Sequence, residues 1–316
     1  MIGAGSHARP RSRQIRRGRA ALGVAATALA GLALTPGAQA ATFCDRGGEV
    51  SATEQDRQLQ VVAAARRVLE RSEVSAALVS RSGTDLSRFQ LLYSHSGLAL
   101  KDSRNGPWSV RQLYYACDES RARLYDQGLA GFLLSAGKTA PIRLSIVTLP
   151  DAEGASLAAG ALDNRLALAL LSSRYSASAY AFATRYQNCN QWVAEMMGFA
   201  WAPRDGAAPT RAQAQRGLQA LGYDPAPVVV PSHAVMFAAQ FVPLVHSDDH
   251  PIDDLYAMRL KVSTPAALED FAHRRVPRAQ RIEFCAADRT IVVRRGWTPL
   301  PADCRPAEGD EVLPLS

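Results

Sequence analysis

The sequence predicts an α+β fold in which helices pack on an antiparallel sheet. Apolar residues recur at helical spacing over residues 54–70, and an Ala- and Leu-rich run over residues 152–171 has the composition of a core helix. Strand candidates joined by short connections follow one another over residues 90–115 and again over 281–295. Because short connections join antiparallel strands, these segments predict hairpins.

The predicted elements of the first half alternate between helices and strands. Asp102, Asn105, Gly106 and Pro107 indicate a hairpin connection, since all four residue types favour turns. In chain order, the predictions are a helix over 54–70, strands over 76–80, 90–100 and 108–115, a helix over 120–135, a strand over 143–149 and a helix over 152–171.

The second half has clearer helix boundaries. Thr210 favours a helix start and Gly222 a helix end. The proline-rich, acidic tail after Pro299 predicts irregular structure. In chain order, the predictions are a helix after Asn188, a helix over 209–221, an extended segment over 225–231, an apolar segment of unassigned type over 235–242, a strand over 256–262, a helix over 265–274 and a hairpin of strands 281–286 and 290–295.

The first 40 residues have the features of a secretory signal peptide. A basic start is followed by a short apolar run over 20–34 and by Ala-x-Ala at 38–40, the small-residue pattern that precedes signal peptidase cleavage. The apolar run is shorter than the ~20 residues that a membrane-spanning helix needs. We therefore expect cleavage after Ala40 and a periplasmic or secreted protein without a stable transmembrane segment.

The formal net charge of +7 comes mostly from this segment. It holds six of the 36 Lys and Arg residues and none of the 29 Asp and Glu residues, which leaves 30 basic and 29 acidic residues after Ala40. The remaining chain shows no basic cluster with interleaved aromatic residues. The sequence therefore predicts no nucleic-acid partner.

All five cysteines lie after residue 40, and exported proteins commonly form disulfides. Five is an odd number, so one cysteine is left over. If Cys189 is the free one, the other four can pair in three ways. Cys285 and Cys304 flank the predicted terminal hairpin and are expected to pair. Cys44 would then pair with Cys117.

The stretch richest in chemical information is residues 185–197, a polar run that ends in Cys189 and continues as an amphipathic helix. Asn188 is a favoured N-cap residue, because its side-chain oxygen can accept a hydrogen bond from a backbone N–H of the first turn. Cys189 would then lie at the positive end of the helix, which favours the reactive thiolate. The candidates for the buried side are Trp192, Val193, Met196 and Met197.

A thiolate nucleophile needs a base, and the candidate is His95. It lies near the start of a strand candidate in which Gly97 allows close approach of another backbone. A cysteine before a helix is most often packed or disulfide-bonded, and a histidine on a strand is most often a core residue. These two segments alone therefore favour structural roles over nucleophilic catalysis.

A resemblance changes that balance. His-x-Gly on a strand, followed much later by Asn-Cys-x-x-Trp-Val at a helix start, resembles the circularly permuted NlpC/P60 group of papain-like thiol hydrolases, which includes the lecithin:retinol acyltransferase-like proteins. The unpermuted enzymes have the cysteine first, whereas here His95 precedes Cys189. Residues 85–89, 93–97 and 187–192 together resemble DUF2145, a family of uncharacterised bacterial exported proteins.

The resemblance implies a fold and a set of roles. It implies a permuted papain-like domain over residues 41–254, with a small β-rich extension over 255–316. Cys189 would be the nucleophile and His95 the base. Gln112 on the next strand is the candidate for the residue that orients the imidazole, although an exposed strand glutamine is an equal alternative.

The same resemblance suggests how an oxyanion would be stabilised. The backbone N–H of Cys189 would donate to the oxyanion. The side chain of Gln187 would aid it, and Asn188 would support the loop.

These roles lead to three hypotheses. The first is an exported cysteine-dependent hydrolase or acyltransferase that acts on an amide or ester bond, with peptidoglycan peptides or lipids as the alternative substrates. The second is a non-catalytic envelope protein that binds cell wall or lipid with the same fold. The third is a structural exported protein in which Cys189 is disulfide-bonded.

No cofactor and no metal site are predicted. Residues 246–250, His-Ser-Asp-Asp-His, contain four potential metal ligands. A polar loop before Pro251 is the preferred interpretation, because no further cluster supplies a closing set of ligands. The sequence also lacks a phosphate-binding Gly-rich loop and a Gly-x-Ser-x-Gly motif.

Overall fold

The computed structural model describes residues 50–203, 206 and 208–315. The predicted signal peptide and Cys44 lie outside the described residues. The described chain is a mixed α+β structure in which helices pack against a large antiparallel sheet. The predicted fold class is thus confirmed at this level.

Nine helices and ten strands are present in the described part of the chain. The helices are α1 (Ala52–Arg71), α2 (Leu129–Leu134), α3 (Asp151–Leu162), α4 (Asn164–Ala169), α5 (Cys189–Trp201), α6 (Arg211–Ala220), α7 (His233–Ala239), α8 (Ile252–Tyr256) and α9 (Pro265–Arg275). The strands are β1 (Ala76–Arg81), β2 (His95–Leu100), β3 (Ser109–Ala116), β4 (Arg121–Gln127), β5 (Ile142–Leu149), β6 (Val228–Val229), β7 (Arg259–Leu260), β8 (Gln280–Ala287), β9 (Thr290–Arg295) and β10 (Glu311–Pro314).

The main sheet has eight strands in the order β10-β9-β8-β5-β1-β2-β3-β4, and each neighbouring pair is antiparallel. Strands β6 and β7 form a separate two-stranded ladder. The C-terminal part of the chain, from residue 255 onward, therefore contributes three strands to one end of the main sheet.

The two faces of the sheet carry different helices, because side chains alternate along each strand. On β2, Leu98 and Leu100 pack in a cluster with Trp192 of α5. Ala99, between them, belongs to the cluster formed with α1 and with Phe132 of α2. Helix α5 thus covers one face of the sheet, and α1 and α2 cover the other.

Two of the predicted helices differ from the structure. Residues 121–127, predicted as helix, form β4, which pairs with β3 along its whole length. Pairing with a neighbouring strand satisfies the backbone of this edge segment and outweighs its weak local preference. Asp163 divides the predicted helix over 152–171, because its side chain accepts hydrogen bonds from the backbone N–H groups of Arg165 and Leu166 and so starts α4.

Shorter differences concern strand ends. Residues 90–94 lie outside β2, and a short 3-10 helix, Ser87–Phe89, precedes them. Part of the tail predicted as irregular forms β10, which pairs with β9. Pairing between strands again determines the secondary structure of these segments, since neither has a strong local sequence pattern.

A buried carboxylate joins the C-terminal strands to the centre of the sheet. The Glu283 side chain on β8 accepts hydrogen bonds from the Tyr93 hydroxyl at 2.6 Å and from Arg143 Nη1 at 3.1 Å. Its second oxygen accepts from Arg281 Nη1 at 2.9 Å and from the Leu300 backbone N–H at 2.8 Å. This one side chain therefore connects the loop before β2 with β5, β8 and the segment after β9.

Among the described cysteines one is free and the others are disulfide-bonded, as the odd count predicts. Cys285 and Cys304 form a disulfide, which confirms that predicted pair. Cys117 is also disulfide-bonded, whereas Cys189 is free and buried. Helices in the described ranges are all too short or too polar to cross a bilayer.

We expect Glu283→Gln to lower the free energy of unfolding by about 3–5 kcal/mol, because it leaves two buried arginines without their shared counter-charge. Urea unfolding at pH 7 without reductant measures it. The control is Glu70→Gln, which removes an exposed ion pair with Arg66 and should change stability by less than about 1 kcal/mol. Equal effects of the two substitutions would contradict the role of Glu283.

Candidate active site

Helix α5 begins at Cys189, as the sequence predicts. The Asn188 side-chain oxygen accepts a hydrogen bond from the Gln191 backbone N–H at 2.7 Å, which makes Asn188 the N-cap. The Asn188 amide also donates to the carbonyls of Ala177 and Ser263, at 3.3 and 3.4 Å. The cap therefore also ties the helix start to two neighbouring segments.

A second buried carboxylate fixes the chain on both sides of Cys189. Glu195, within α5, accepts hydrogen bonds from Arg211 at two positions, both 2.8 Å, and from Gln215 at 2.8 Å. Gln187 donates to Glu195 at 2.6 Å. Burial raises the pKa of Glu195, although Arg211, Gln215 and Gln187 act in the opposite direction. The network anchors the residue two positions before Cys189 to the body of the helix.

The structure places Gln112 beside His95. His95 Nε2 and Gln112 Oε1 form a short hydrogen bond across the β2–β3 pair. Because an amide oxygen only accepts, the Nε2 atom must carry the proton. The Nδ1 atom then holds the lone pair, and it has no hydrogen-bond partner among the described residues. Gln112 is 1% exposed, so it is not a surface glutamine.

The His95 imidazole and the Cys189 thiol contact helices on different faces of the sheet. The His95 ring packs against Phe132 of α2 at a centroid distance of 5.8 Å, while Cys189 begins α5 on the other side of the sheet. The Asn190 amide donates to the Ser94 carbonyl at 3.5 Å, so the start of α5 lies at the His95 end of β2. Within the described chain, no hydrogen bond joins Cys189 to His95.

A buried arginine is close to both residues. Arg81 is the strand partner of His95 in the β1–β2 register. Its positive charge lowers the pKa of the Cys189 thiol and that of the His95 imidazole. The sequence reading did not identify Arg81, because an arginine at the end of an apolar strand has no local signature. Only the pairing of β1 with β2 reveals its position.

Burial dominates the protonation of the site. It raises the pKa of the Cys189 thiol to about 11, although Arg81, two backbone N–H groups and the Tyr175 side chain favour the thiolate. Burial, followed by the charge of Arg81, lowers the pKa of His95 to about 3, against the effect of the Gln112 hydrogen bond. The expected thiolate at the helix end is therefore wrong for this conformation, in which thiol and imidazole are both neutral at pH 7.

Tyr175 is a further residue that the sequence reading missed. Its side chain lowers the pKa of the Cys189 thiol, and burial raises its own pKa well above the ordinary value. Its ring also packs against Tyr115 of β3, at 5.4 Å. Tyr175 lies in the irregular segment before the cysteine motif, where sequence periodicity carries no information.

Gln187 has a different position from the one suggested for oxyanion support. One amide hydrogen is donated to the Leu170 carbonyl at 2.8 Å and the other to Glu195. Its oxygen accepts from the Ser172 backbone N–H at 2.8 Å. In this conformation Gln187 holds the loop before Cys189, and the backbone N–H groups of Cys189 and Asn190 lower the pKa of the thiol.

Three side chains of the loop over 246–250 form contacts within the protein. His250 Nε2 bonds the Ser178 carbonyl at 2.7 Å, and Asp249 accepts from the Tyr180 backbone N–H at 3.0 Å. Asp248 forms an ion pair with Arg185 at 2.6 Å. Across the described ranges, no three His, Cys, Asp or Glu side chains are placed to hold one metal ion.

The site is closed in this conformation. Cys189 is 7% exposed, His95 8% and Arg81 5%. Two surface pockets lie elsewhere, one between α1 and strands β8–β10 and the other between the end of α5 and α6. The burial of these three side chains restricts the access of solvent and reagents to the Cys189 sulfur in this conformation.

Comparison with known proteins gives one match. A family model with the description "Uncharacterized protein conserved in bacteria (DUF2145)" matches residues 68–272. The matched range includes His95, Gln112 and Cys189. No curated protein and no solved structure matches the chain.

The raised pKa of Cys189 predicts slow alkylation at neutral pH. Since only the thiolate reacts, the rate of modification by iodoacetamide should keep rising from pH 7 to pH 10 without a plateau. Peptide mapping of the non-reduced protein identifies the site, and Cys189→Ser should take up no label there. A plateau below pH 8 would contradict a buried, neutral thiol.

The lowered pKa of His95 predicts acid sensitivity. The folded state keeps His95 neutral down to about pH 3, whereas the unfolded chain binds a proton below about pH 6.5. His95 therefore leaves stability intact above pH 6.5 and lowers it as pH falls from 6.5 toward 3, by on the order of a few kcal/mol.

The substitution His95→Gln, which keeps an N–H donor, should reduce this loss on acidification. Urea unfolding at several pH values between 3 and 7 measures the difference from wild type. His233→Gln, at the exposed start of α7, is the control for losing a histidine. Identical pH slopes for wild type and His95→Gln would show that His95 is not kept neutral by the fold.

Proposed function

The chain belongs to the DUF2145 family, and we propose that it is an exported cysteine-dependent hydrolase or acyltransferase that acts on an amide or ester bond. The observation that carries this proposal is the hydrogen bond from His95 Nε2 to Gln112 Oε1, at the end of the sheet where the free Cys189 starts a helix. Acyl transfer of this kind requires a base with a fixed tautomer and a nucleophilic cysteine that forms no disulfide.

Gln112 determines which nitrogen acts as the base. With Nε2 donating to the amide oxygen, Nδ1 is left to accept the Cys189 proton as the sulfur attacks the substrate carbonyl carbon. The S–C bond forms while the carbonyl electrons move to oxygen. When that tetrahedral intermediate collapses, His95 returns the proton to the leaving amine or alcohol. Water or an acceptor alcohol then cleaves the acyl-cysteine.

The protonation of the closed site favours general-base transfer over a preformed thiolate–imidazolium pair. Both groups are neutral at pH 7, so the proton moves as the sulfur attacks. The backbone N–H groups of Cys189 and Asn190 lie near the sulfur and are the candidate oxyanion donors. We propose that opening of the site brings His95 and Cys189 into contact, since catalytic hydrogen bonds are often incomplete without substrate.

The proposal extends to fold and location. The order of His95 before Cys189 and the packing of α5 on an antiparallel sheet support a permuted papain-like arrangement. The Cys285–Cys304 disulfide supports an oxidising compartment, and with the signal-like first 40 residues it supports export. Peptidoglycan peptides and lipid esters are the substrates that suit such a location.

One observation favours a second candidate function. The burial and raised pKa of Cys189 also suit a non-catalytic envelope protein that binds cell wall or lipid. In that case Cys189 would be a packing residue of α5, and binding would not depend on its sulfur.

The test is turnover of peptidoglycan fragments and lipid esters by wild type and variants. We expect Cys189→Ala to abolish activity and His95→Ala to lower kcat about 100- to 10,000-fold, since that is the range for loss of a general base. Gln112→Ala should cause a smaller fall that Gln112→Asn partly restores. Gln219→Ala, on the exposed face of α6, is the matched glutamine control.

Binding measured on the same substrates separates the two candidates. If Cys189→Ala binds but does not turn over substrate, the enzyme proposal stands. If wild type binds these substrates without turnover and Cys189→Ala binds equally, the binding protein is supported instead.

A further inference from the structure

Buried arginines in the described ranges are paired with carboxylates, with one exception. The buried set is Arg81, Arg111, Arg143, Arg211 and Arg281. The pairs are Arg111 with Asp126, Arg143 with Glu283, Arg211 with Glu195, and Arg281 with Glu269 and Glu283. Arg81 forms no ion pair with any described carboxylate, although its side chain is as buried as the others.

The partners of Arg81 leave most of its donors unused. Nη1 donates to the Ser82 carbonyl at 3.1 Å and Nη2 to the Ser135 hydroxyl at 3.4 Å. The guanidinium lies 5.4 Å from the Phe132 ring centre. The Nε–H is buried and has no hydrogen-bond partner. A buried cation without a counter-charge is costly, so a merely structural side chain here would be expected to have the carboxylate that the other four have.

The guanidinium lies close to Gly83 and to the Ser94 side chain. A Cβ atom at Gly83 would lie 2.7 Å from Arg81 Nη1 and 2.9 Å from the Ser94 hydroxyl. The absence of a side chain at Gly83 thus lets the guanidinium and the Ser94 hydroxyl pack directly against the Gly83 backbone. The Ser94 carbonyl accepts a hydrogen bond from the Asn190 side-chain amide, which places this group of residues at the start of α5, where Cys189 lies.

The electrostatics agree with that placement. The charge of Arg81 favours the Cys189 thiolate, and Cys189 in turn raises the pKa of Arg81, while burial lowers it to about 10. Arg81 stays charged at pH 7 and is adjacent to the nucleophile.

We infer that Arg81 is an anion-binding residue, and that the substrate is an acyl compound whose carboxylate pairs with Arg81 while its carbonyl carbon lies at Cys189. The identification of this compound as a substrate rests on the proposed function, whereas the anion site at Arg81 does not. A carboxylate fits because its two oxygens can accept two parallel N–H donors of a guanidinium, as Asp126 does from Arg111 and Glu195 from Arg211.

The test compares two alkylating reagents of nearly equal size, iodoacetate and iodoacetamide. In both reactions the sulfur attacks the methylene carbon, an S–C bond forms, and the C–I bond breaks to release iodide. Only iodoacetate carries a carboxylate. The measured quantity is the ratio of the two rate constants at Cys189 in the purified, non-reduced protein, relative to the same ratio for free cysteine.

We expect the ratio for Cys189 to exceed that for free cysteine by about tenfold or more, which corresponds to about 1.4 kcal/mol. Arg81→Met should return the ratio to that of free cysteine. Arg104→Met, in the exposed hairpin at the far end of β2, removes the same net charge and should leave the ratio high. If Arg81→Met slows both reagents equally, Arg81 acts only on the thiolate, and the inference is overturned.

A second measurement needs no variant and covers the case in which Arg81→Met does not fold. Acetate should slow the iodoacetamide reaction of wild type at concentrations where acetamide does not. Equal effects of acetate and acetamide would overturn the anion site. Since neither readout depends on turnover or on His95, an absent hydrolase activity would refute the proposed function while leaving this result intact.

Discussion

Burial of helix α5 on every side is the constraint on which the rest of the structure depends. Every residue from Cys189 to Phe199 is buried. Polar groups there are largely removed from water, so hydrogen-bond partners within the protein stabilise the helix. Asn188 caps the first turn, Gln191 donates to the carbonyl of Tyr180 at 3.0 Å, and Glu195 is bound by Arg211. The segment before the helix and α6 after it are arranged to supply these partners.

The same burial sets the chemistry at the helix start. Burial pushes thiol and imidazole toward their neutral forms, and it also lowers the pKa of Arg81. The positive helix end and the guanidinium act on the sulfur in the opposite direction but are weaker than desolvation here. In such a site, separation of charge between thiol and imidazole requires a ligand or a movement that changes their solvation. That is compatible with a closed enzyme and with a binding protein, and the reactivity of Cys189 separates them.

Local signals were enough to predict much of the site. Asn188 and Thr210 act as N-caps because capping needs only a side-chain oxygen and a nearby N–H, both supplied by neighbouring residues. Gln112 was found through a resemblance, and its place beside His95 follows from strand alternation. By contrast, the sequence predicts a helix that includes residues 121–127, because nothing in their own sequence shows that they pair with β3. The direction of the Cys189 pKa was also wrong, since the helix end is visible in sequence and the depth of burial is not.

The sequence by itself determined the capped helix start at Cys189, the α+β class and the expectation of the Cys285–Cys304 pair, because each depends on residue type and short spacing. The tertiary structure alone decided that Arg81 lies opposite His95, that it lacks a carboxylate, and that Gln187 is committed to Glu195. These relations join residues far apart in the chain, and their energies depend on which groups are removed from water together.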